Sequence, residues 1–207
     1  MKLSRKEFVF AVSAAALAGC GGSGGNDVNG AEKEPPAAGG APAAGKEVKG
    51  KKMKTLVAYF SATGTTKAKA ALVAKATGGR LVEITPEKPY NREDLDWHNK
   101  QSRSSVEMND KKSRPAVKTR IADIADYDVV YLGFPIWWYV APTVVNTFLE
   151  AHDLKGKKIV PFFTSGGSGA GKTLDYLKPS APGATFETPK NLTDASETDI
   201  AGWVSGR

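Results

Sequence analysis

The stretch KTLVAYFSATGTT, residues 54–66, joins a short apolar run to a loop rich in hydroxyl groups. The run LVAYF is typical of a strand that is buried on both faces of a sheet. The segment TTKAKAALVAKAT follows and places Ala68, Leu72 and Ala76 at helical spacing before two glycines end the helix. These 25 or so residues therefore predict a strand, a hydroxyl-rich loop and a helix in direct succession.

The same alternation of strands and helices continues to the end of the chain. Strands are predicted at RLVEI, YDVVYLGF, KKIVPFF and ATFET, and helices at PTVVNTFLEA, KTLDYLK and DASETDIAGWV. Residues 86–115 form a polar connection with no predicted strand and with helical character around REDLDWHNKQSRSSVEM. Alternating strands and helices imply a parallel sheet covered on both faces. The sequence thus predicts an α/β, doubly wound domain with a five-stranded parallel sheet.

The first 20 residues have the features of an export signal. Basic residues precede the apolar run of residues 8–17, and small residues lead to Cys20, the single cysteine of the chain. The run is shorter than the roughly 20 residues that a bilayer span needs. The tetrapeptide LAGC resembles the bacterial lipobox, which implies that Cys20 is lipidated and becomes the first residue of the mature protein. The alternative is an ordinary signal peptide that contains a cysteine.

Residues 21–52 consist almost entirely of Gly, Ala, Pro and polar residues, with two valines as the larger apolar side chains. Such a segment cannot bury enough apolar surface to fold, so we expect a disordered linker. The expected organisation is a signal peptide with lipobox at 1–20, a linker at 21–52 and one folded domain at 53–207. The domain would be exported and held at the outer face of a bacterial membrane by the lipid on Cys20.

Three loops of the predicted domain follow the carboxyl ends of strands, where open parallel sheets bind their ligands. They read SATGTT (61–66), GFPIWWYVAP (133–142) and TSGGSGAG (164–171). The first opens into a helix, so its backbone N–H groups and hydroxyls favour an anion, although plain helix capping is the alternative. In the second, Trp137 and Trp138 favour stacking on a flat ring, and we expect one of them to pack in the core instead.

The span from residue 53 to residue 206 resembles the bacterial flavodoxins. AYFSATGTT is similar to their FMN-phosphate loop, DVVYLGFPIWW to their third strand and first flavin loop, and KIVPFFTSGGSG to their fourth strand and second flavin loop. The resemblance implies a flavodoxin-like fold with strand order 2-1-3-4-5 and one noncovalent FMN. Tyr139 departs from the family pattern, which commonly has a small residue after the tryptophans.

The resemblance also implies three groups of FMN-binding residues. Those placed at the phosphate are Ser61, Thr63, Gly64, Thr65 and Thr66. Those placed on one side of the isoalloxazine are Pro135, Ile136, Trp137 and Trp138. Those placed on its other side are Thr164, Ser165, Gly166, Gly167 and Ser168.

A second motif competes with this interpretation. GGSGAGKT, residues 166–173, matches the phosphate-binding pattern G-x-x-x-x-G-K-[ST] and lies between a predicted strand and helix. A nucleoside triphosphatase also needs a later strand ending in Asp to help hold magnesium, and ATFETPKNL offers none. We therefore interpret the glycines as allowing backbone to approach the flavin, and Lys172 as a surface residue at a helix start.

The remaining residues predict neither acid–base nor metal chemistry. His98 and His152 are far apart in sequence and are expected at the surface, and Asp126 and Asp128 are expected to face water. No catalytic residue and no metal site are predicted.

The net charge is +7, from 29 Lys and Arg against 22 Asp and Glu. A basic carrier favours acidic or membrane-bound redox partner proteins rather than nucleic acid. The basic segment KKSRPAVKTR, residues 111–120, is either a docking patch or a solvated connection. Three functions stay open: an electron carrier, an FMN-dependent NAD(P)H quinone reductase, and a tethered domain that has lost FMN. The lack of a second dinucleotide fingerprint in the sequence favours the carrier.

Overall fold

A computed structural model of the chain describes residues 53–207, and the predicted signal peptide, lipobox and linker lie outside these residues. The strands are β1 (Thr55–Tyr59), β2 (Arg80–Glu83), β3 (Val129–Pro135), β4 (Lys158–Thr164), β5 (Thr185–Phe186) and β6 (Lys190–Asn191). The helices are α1 (Thr65–Thr77), α2 (Arg103–Asn109), α3 (Thr143–Glu150), α4 (Thr173–Leu177) and α5 (Glu197–Ser205). Within this part of the chain, no helix has the length and apolar character that crossing a bilayer requires.

The sheet confirms the predicted topology. Its strands are parallel and follow the order β2-β1-β3-β4-β5. The last position of the sheet is shared, because β5 pairs with the first half of β4 and β6 pairs with its second half. Pro189 lies between the two short strands and has no N–H to donate, so the edge strand is interrupted there. Residues 53–207 therefore form six strands rather than the predicted five, because the fifth strand is divided in two.

Two hydrophobic layers cover the faces of the sheet, as the alternation of strands and helices predicts. Along β1, Leu56 and Ala58 pack into one layer while Val57 and Tyr59 pack into the other. The first layer is completed mainly by α3, through residues such as Phe148. The second is completed by α1 and α5. β3 and β4 lie between the two layers and are buried along nearly their whole length, so their carboxyl ends are held rigidly.

Helix α1 confirms the helix predicted for the segment TTKAKAALVAKAT, since it spans Thr65–Thr77. The residues that it buries are Thr66, Ala70 and Val73. The hydroxyls of Thr66 and Thr164 share a buried hydrogen bond of 2.8 Å, which fixes the first turn of the helix on β4. Residues four and seven positions later then face the sheet as well, because they lie on the same side of a helix.

The polar connection between β2 and β3 is helical only over Arg103–Asn109, a shorter helix than the sequence predicts. Before it, the side chains of Asn91, Asp96 and Asn99 accept hydrogen bonds from backbone N–H groups two or three residues later. Such local bonds offer the backbone an alternative to the helix. The connection therefore runs as a series of turns over the carboxyl edge of the sheet before α2 begins.

Candidate functional site

A cavity of about 850 Å³ opens where β1, β3 and β4 end. This volume falls within the range of small-molecule sites in proteins. The predicted binding residues that line it are Ser61, Thr63, Thr65, Thr66, Pro135, Ile136, Trp137, Trp138, Thr164, Ser165, Gly166 and Ser168. Gly64 and Gly167 were predicted as well, but they do not line the cavity. The structure thus brings the three predicted loops together around one space.

The loop after β1 leaves its donors available. Gly64 takes the position before α1 with a φ of +92°, which glycine adopts readily, and no side chain caps this helix within residues 53–207. Ser61 accepts a hydrogen bond of 3.1 Å from the Gly64 N–H, which closes the loop on itself. The hydroxyls of Thr63 and Thr65 make no hydrogen bond within the same residues. Free N–H groups and hydroxyls at a helix start form a site for an anion such as a phosphate.

The two adjacent tryptophans have different surroundings, as predicted. Trp137 is half-buried, and its ring meets those of Phe60 and Tyr90 edge to face, with centroids 5.6 and 5.3 Å away. Edge-to-face pairs of this kind are favourable beyond the area that they bury. Trp138 lines the cavity but is 42% exposed. One tryptophan therefore anchors the loop to the core, and the other is free to stack on a ligand.

The loop after β3 reverses in a tight turn at Trp138 and Tyr139. The N–H of Trp137 donates to the carbonyl of Val140 at 2.9 Å, and the N–H of Val140 donates back at 3.0 Å. Trp138 and Tyr139 have φ values of +46° and +65°, as in the type I′ turn, where Asn-Gly is usual. A residue other than glycine in this left-handed conformation costs about 1–3 kcal/mol. The conformation persists only where the surrounding structure holds it in place.

The glycine-rich loop after β4 helps to hold the turn at Trp138 and Tyr139 in place. Gly171 has a φ of +48°, and a Cβ built on it would lie 2.3 Å from the carbonyl oxygen of Tyr139. The last glycine of the phosphate-binding match therefore lets the two loops touch. Lys172 is exposed, and α4 behind it has five residues. Packing of the loop after β4 on the loop after β3 accounts for this glycine.

The connection between β2 and β3 forms a wall of the cavity that sequence reasoning missed. It contributes Leu95, Trp97 and Ser104. The available signal was Trp97, a large aromatic residue in a polar stretch, which is 67% exposed at the cavity. Ala62 and Tyr139 also line the cavity without having been predicted to do so.

An ion-pair and aromatic cluster holds this wall in place. The Tyr90 hydroxyl donates to Glu107 at 2.5 Å, and Arg103 pairs with the same carboxylate at 2.6 Å. The Arg103 guanidinium also lies 4.0 Å from the centre of the Tyr90 ring. Burial, followed by the bond to Glu107, raises the pKa of Tyr90 well above its ordinary value, so the phenol keeps its proton. Because Tyr90 contacts Trp137, the cluster links α2 to the loop after β3.

His152 is half-buried, so the prediction that it lies at the surface was wrong. Its Nε2 accepts from the Ile121 N–H at 3.0 Å, which leaves the proton on Nδ1 to be donated to the Phe148 carbonyl at 2.7 Å. Desolvation by burial lowers the pKa of this imidazole. The ring is a structural link between α3 and the preceding connection, and it does not line the cavity.

The remaining charged residues singled out in the sequence lie away from the cavity. Asp126 forms an exposed ion pair of 2.9 Å with Lys54, and Asp128 accepts from the Lys54 N–H. In residues 111–120, Arg114 pairs with Glu150 at 2.9 Å and thus fastens the segment to α3. Among residues 53–207, no group of His, Cys, Asp and Glu is arranged to hold a metal ion.

The donor set of the cavity fits FMN. The loop after β1 supplies an uncapped helix start and hydroxyls that suit a phosphate, and the loop after β3 supplies Trp138, which suits a flat ring. The Ser104 hydroxyl lies buried in the cavity wall with no hydrogen-bond partner in residues 53–207. Buried polar atoms are nearly always bonded, so this hydroxyl has bonding capacity left for a polar atom of a ligand.

Comparison with known proteins gives one family. The flavodoxin family profile matches residues 54–207. A crystal structure of a candidate flavoprotein from Bacteroides eggerthii is 51% identical, with a TM-score of 0.70, and the match covers 74% of this chain and 96% of that one. A candidate flavoprotein from Bacteroides uniformis is 49% identical, with a TM-score of 0.71, and the match covers 74% and 98% of the two chains.

A flavoprotein from Lactobacillus acidophilus, in complex with FMN, is 22% identical with a TM-score of 0.55, and the match covers 72% of this chain and 99% of that one. The sequence has no match among curated proteins. The match to the family profile covers most of the chain, including the three loops of the cavity, and the chain is therefore a member of the flavodoxin family.

Proposed function

We propose that this chain is an FMN-binding electron-transfer protein. The observation that carries the proposal is the cavity itself, which joins a free helix start with hydroxyls to a tryptophan wall. The Lactobacillus relative with FMN bound supports the same ligand. FMN supplies the one- or two-electron chemistry when bound, while the protein supplies binding, orientation and the surroundings of the ring.

Each loop of the cavity has its own part in binding FMN. The loop 61–66 binds the phosphate through the N–H groups that begin α1 and through the hydroxyls of Thr63 and Thr65. Trp138 covers one face of the ring, and the backbone of Ser165 and Gly166 approaches it from the other loop. Trp137 does not stack but holds the loop after β3 on the core through Phe60 and Tyr90.

The absorption spectrum of the purified protein tests the cofactor, and paired variants test the phosphate loop. Hydrogen bonds to a charged group contribute about 1.5–3 kcal/mol each. Thr63→Ala together with Thr65→Ala should therefore weaken FMN binding by roughly 100-fold or more and leave riboflavin, which has no phosphate, nearly unaffected. Thr198→Ala, an exposed threonine on α5, is the matched control. Equal losses of FMN and riboflavin affinity would contradict the assignment.

A second function is favoured by the open rim of the cavity. Trp97 and Tyr139 line it while being 67% and 68% exposed, so a flat molecule has aromatic surface to bind beside the flavin. This suits FMN-dependent reduction of quinones by NADH or NADPH. Rapid anaerobic bleaching of the flavin absorbance by either nucleotide alone would favour the reductase, and slow or no bleaching would favour the carrier.

The proposed location is the outer face of a bacterial membrane, with the lipid on Cys20 as the anchor. The support is the lipobox-like sequence and the linker of residues 21–52. The net charge of +7 supports acidic or membrane-bound redox partners.

A further inference from the structure

Ser104 differs from the other buried hydroxyls of the chain. Within residues 53–207, four buried side-chain polar atoms have no hydrogen-bond partner, and Ser104 is the residue among their four that lines the cavity. The other three are Thr143 Oγ1, Thr173 Oγ1 and Trp203 Nε1. The Ser104 residue is 2% exposed, so its hydroxyl has little access to bulk water. A buried hydroxyl without a hydrogen-bond partner destabilises the protein, and a ligand that hydrogen-bonds to it removes that cost.

The position of Ser104 is fixed by its neighbours. Its backbone N–H donates to the Asp94 carbonyl at 2.9 Å. The preceding residue, Arg103, is held by Glu107 and by the Tyr90 ring. The next residue, Ser105, is equally buried, but its hydroxyl is bonded to that of Ser102 at 2.9 Å. Two adjacent serines on one helix therefore have different roles, since one closes the helix start and the other is left for the cavity.

We infer that Ser104 Oγ hydrogen-bonds the flavin part of FMN, which adds α2 to the three loops that bind the cofactor. This inference rests on the proposed FMN binding. The wall around Ser104 contains Leu95 and Trp97, which are poor neighbours for a phosphate dianion and good ones for a flat ring. The phosphate donors come from the loop 61–66, on another element. Ser104 therefore meets the portion of the ligand that FMN and riboflavin share.

Titration of the cofactor-free protein with FMN and with riboflavin, followed by flavin fluorescence, tests the inference. Ser104→Ala should raise the Kd of both ligands by about tenfold, equivalent to about 1.4 kcal/mol. It should not lower the urea midpoint of the cofactor-free protein, because no internal hydrogen bond is lost. The control Ser105→Ala should lower that midpoint, because the Ser102 O–H loses its buried acceptor, Ser105 Oγ, while both Kd values stay within about twofold.

Three results would overturn the inference. One is an unchanged Kd for both flavins in Ser104→Ala. Another is a loss confined to FMN, which would place the hydroxyl at the phosphate. The third is a urea midpoint that falls as far in Ser104→Ala as in Ser105→Ala, which would make Ser104 a structural residue. If the unaltered protein binds neither flavin, the proposed function itself fails. This failure is seen before any variant is made and is thus distinct from the three results above.

Discussion

Replacing Gly171 with alanine places a methyl group where the structure has the carbonyl oxygen of Tyr139. The Cβ would lie 2.3 Å from that oxygen, and the φ of +48° is strained for any residue with a side chain. The left-handed conformation costs about 1–2 kcal/mol. Relieving the contact requires the backbone of one loop to move, which costs about 1–3 kcal/mol by analogy with overpacked cores. Gly171→Ala should therefore lower the free energy of unfolding by about 2–5 kcal/mol.

Two glycines provide matched controls for this variant. Gly78 has a similar φ of +64° with open space around its Cβ position, so Gly78→Ala should show the conformational cost alone, about 1–2 kcal/mol. Gly169 lies in the same loop as Gly171, with open space and no positive φ, so Gly169→Ala should change stability by less than about 0.5 kcal/mol. Urea unfolding of the cofactor-free proteins measures all three.

FMN affinity distinguishes the cost of the left-handed backbone from the cost of the contact between the two loops. Because Gly171 contacts the turn that presents Trp138, Gly171→Ala should raise the Kd for FMN by about tenfold or more, whereas Gly78→Ala, remote from the cavity, should leave it unchanged. The reasoning is refuted if Gly171→Ala is no more destabilising than Gly78→Ala and binds FMN as tightly as the unaltered protein. That result would mean that the two loops do not touch.

Three further predictions concern the triphosphatase motif, the buried histidine and the anchor. Lys172→Ala should leave FMN content unchanged, and calorimetry should detect no ATP or GTP binding before or after the change. The pKa of His152 is lowered below its ordinary 6.5, so the unfolded chain takes up a proton first, and stability should fall as the pH drops below about 6.5. His152→Gln should remove this dependence between pH 5 and 6.5 and the exposed control His98→Gln should keep it; equal slopes would contradict the assignment. Cys20→Ser should move the protein from the membrane fraction to a precursor or soluble form, and an unlipidated mature amino terminus in mass spectrometry would exclude the anchor.

The sequence predicted β1, β3 and β4 well because these three strands are buried on both faces. LVAYF, VVYLGF and IVPFF are continuous apolar runs, and the glycines and prolines around them mark where the strands end. The sequence predicted helix α1 but not which of its faces is buried, because the helix is rich in alanine and its composition does not distinguish one side from the other. The deciding contact, between Thr66 and Thr164, joins residues 98 positions apart and has no local signal.

The site was predicted where it depends on loops that follow strands, and missed where it depends on the long connection. Ser104 and Leu95 enter the cavity because turns made by Asn91 and Asn99 fold the connection over the sheet edge. The length and polarity of that connection do not reveal its path. The Tyr90, Arg103 and Glu107 cluster likewise brings together residues up to 17 positions apart. Its members look like ordinary surface residues in the sequence.

The turn at Trp138 and Tyr139 sets a limit on engineering this domain for heat resistance. Asparagine and glycine adopt left-handed backbone conformations more easily than aromatic residues, so a laboratory selection for melting temperature alone should favour them at these two positions. The same exchange removes Trp138, which we propose covers the flavin ring, and Tyr139, which lines the cavity beside it. Thermostability and cofactor retention thus oppose each other at two adjacent residues, and a library screened for flavin fluorescence as well as heat tolerance is the one that can improve both elsewhere in the chain.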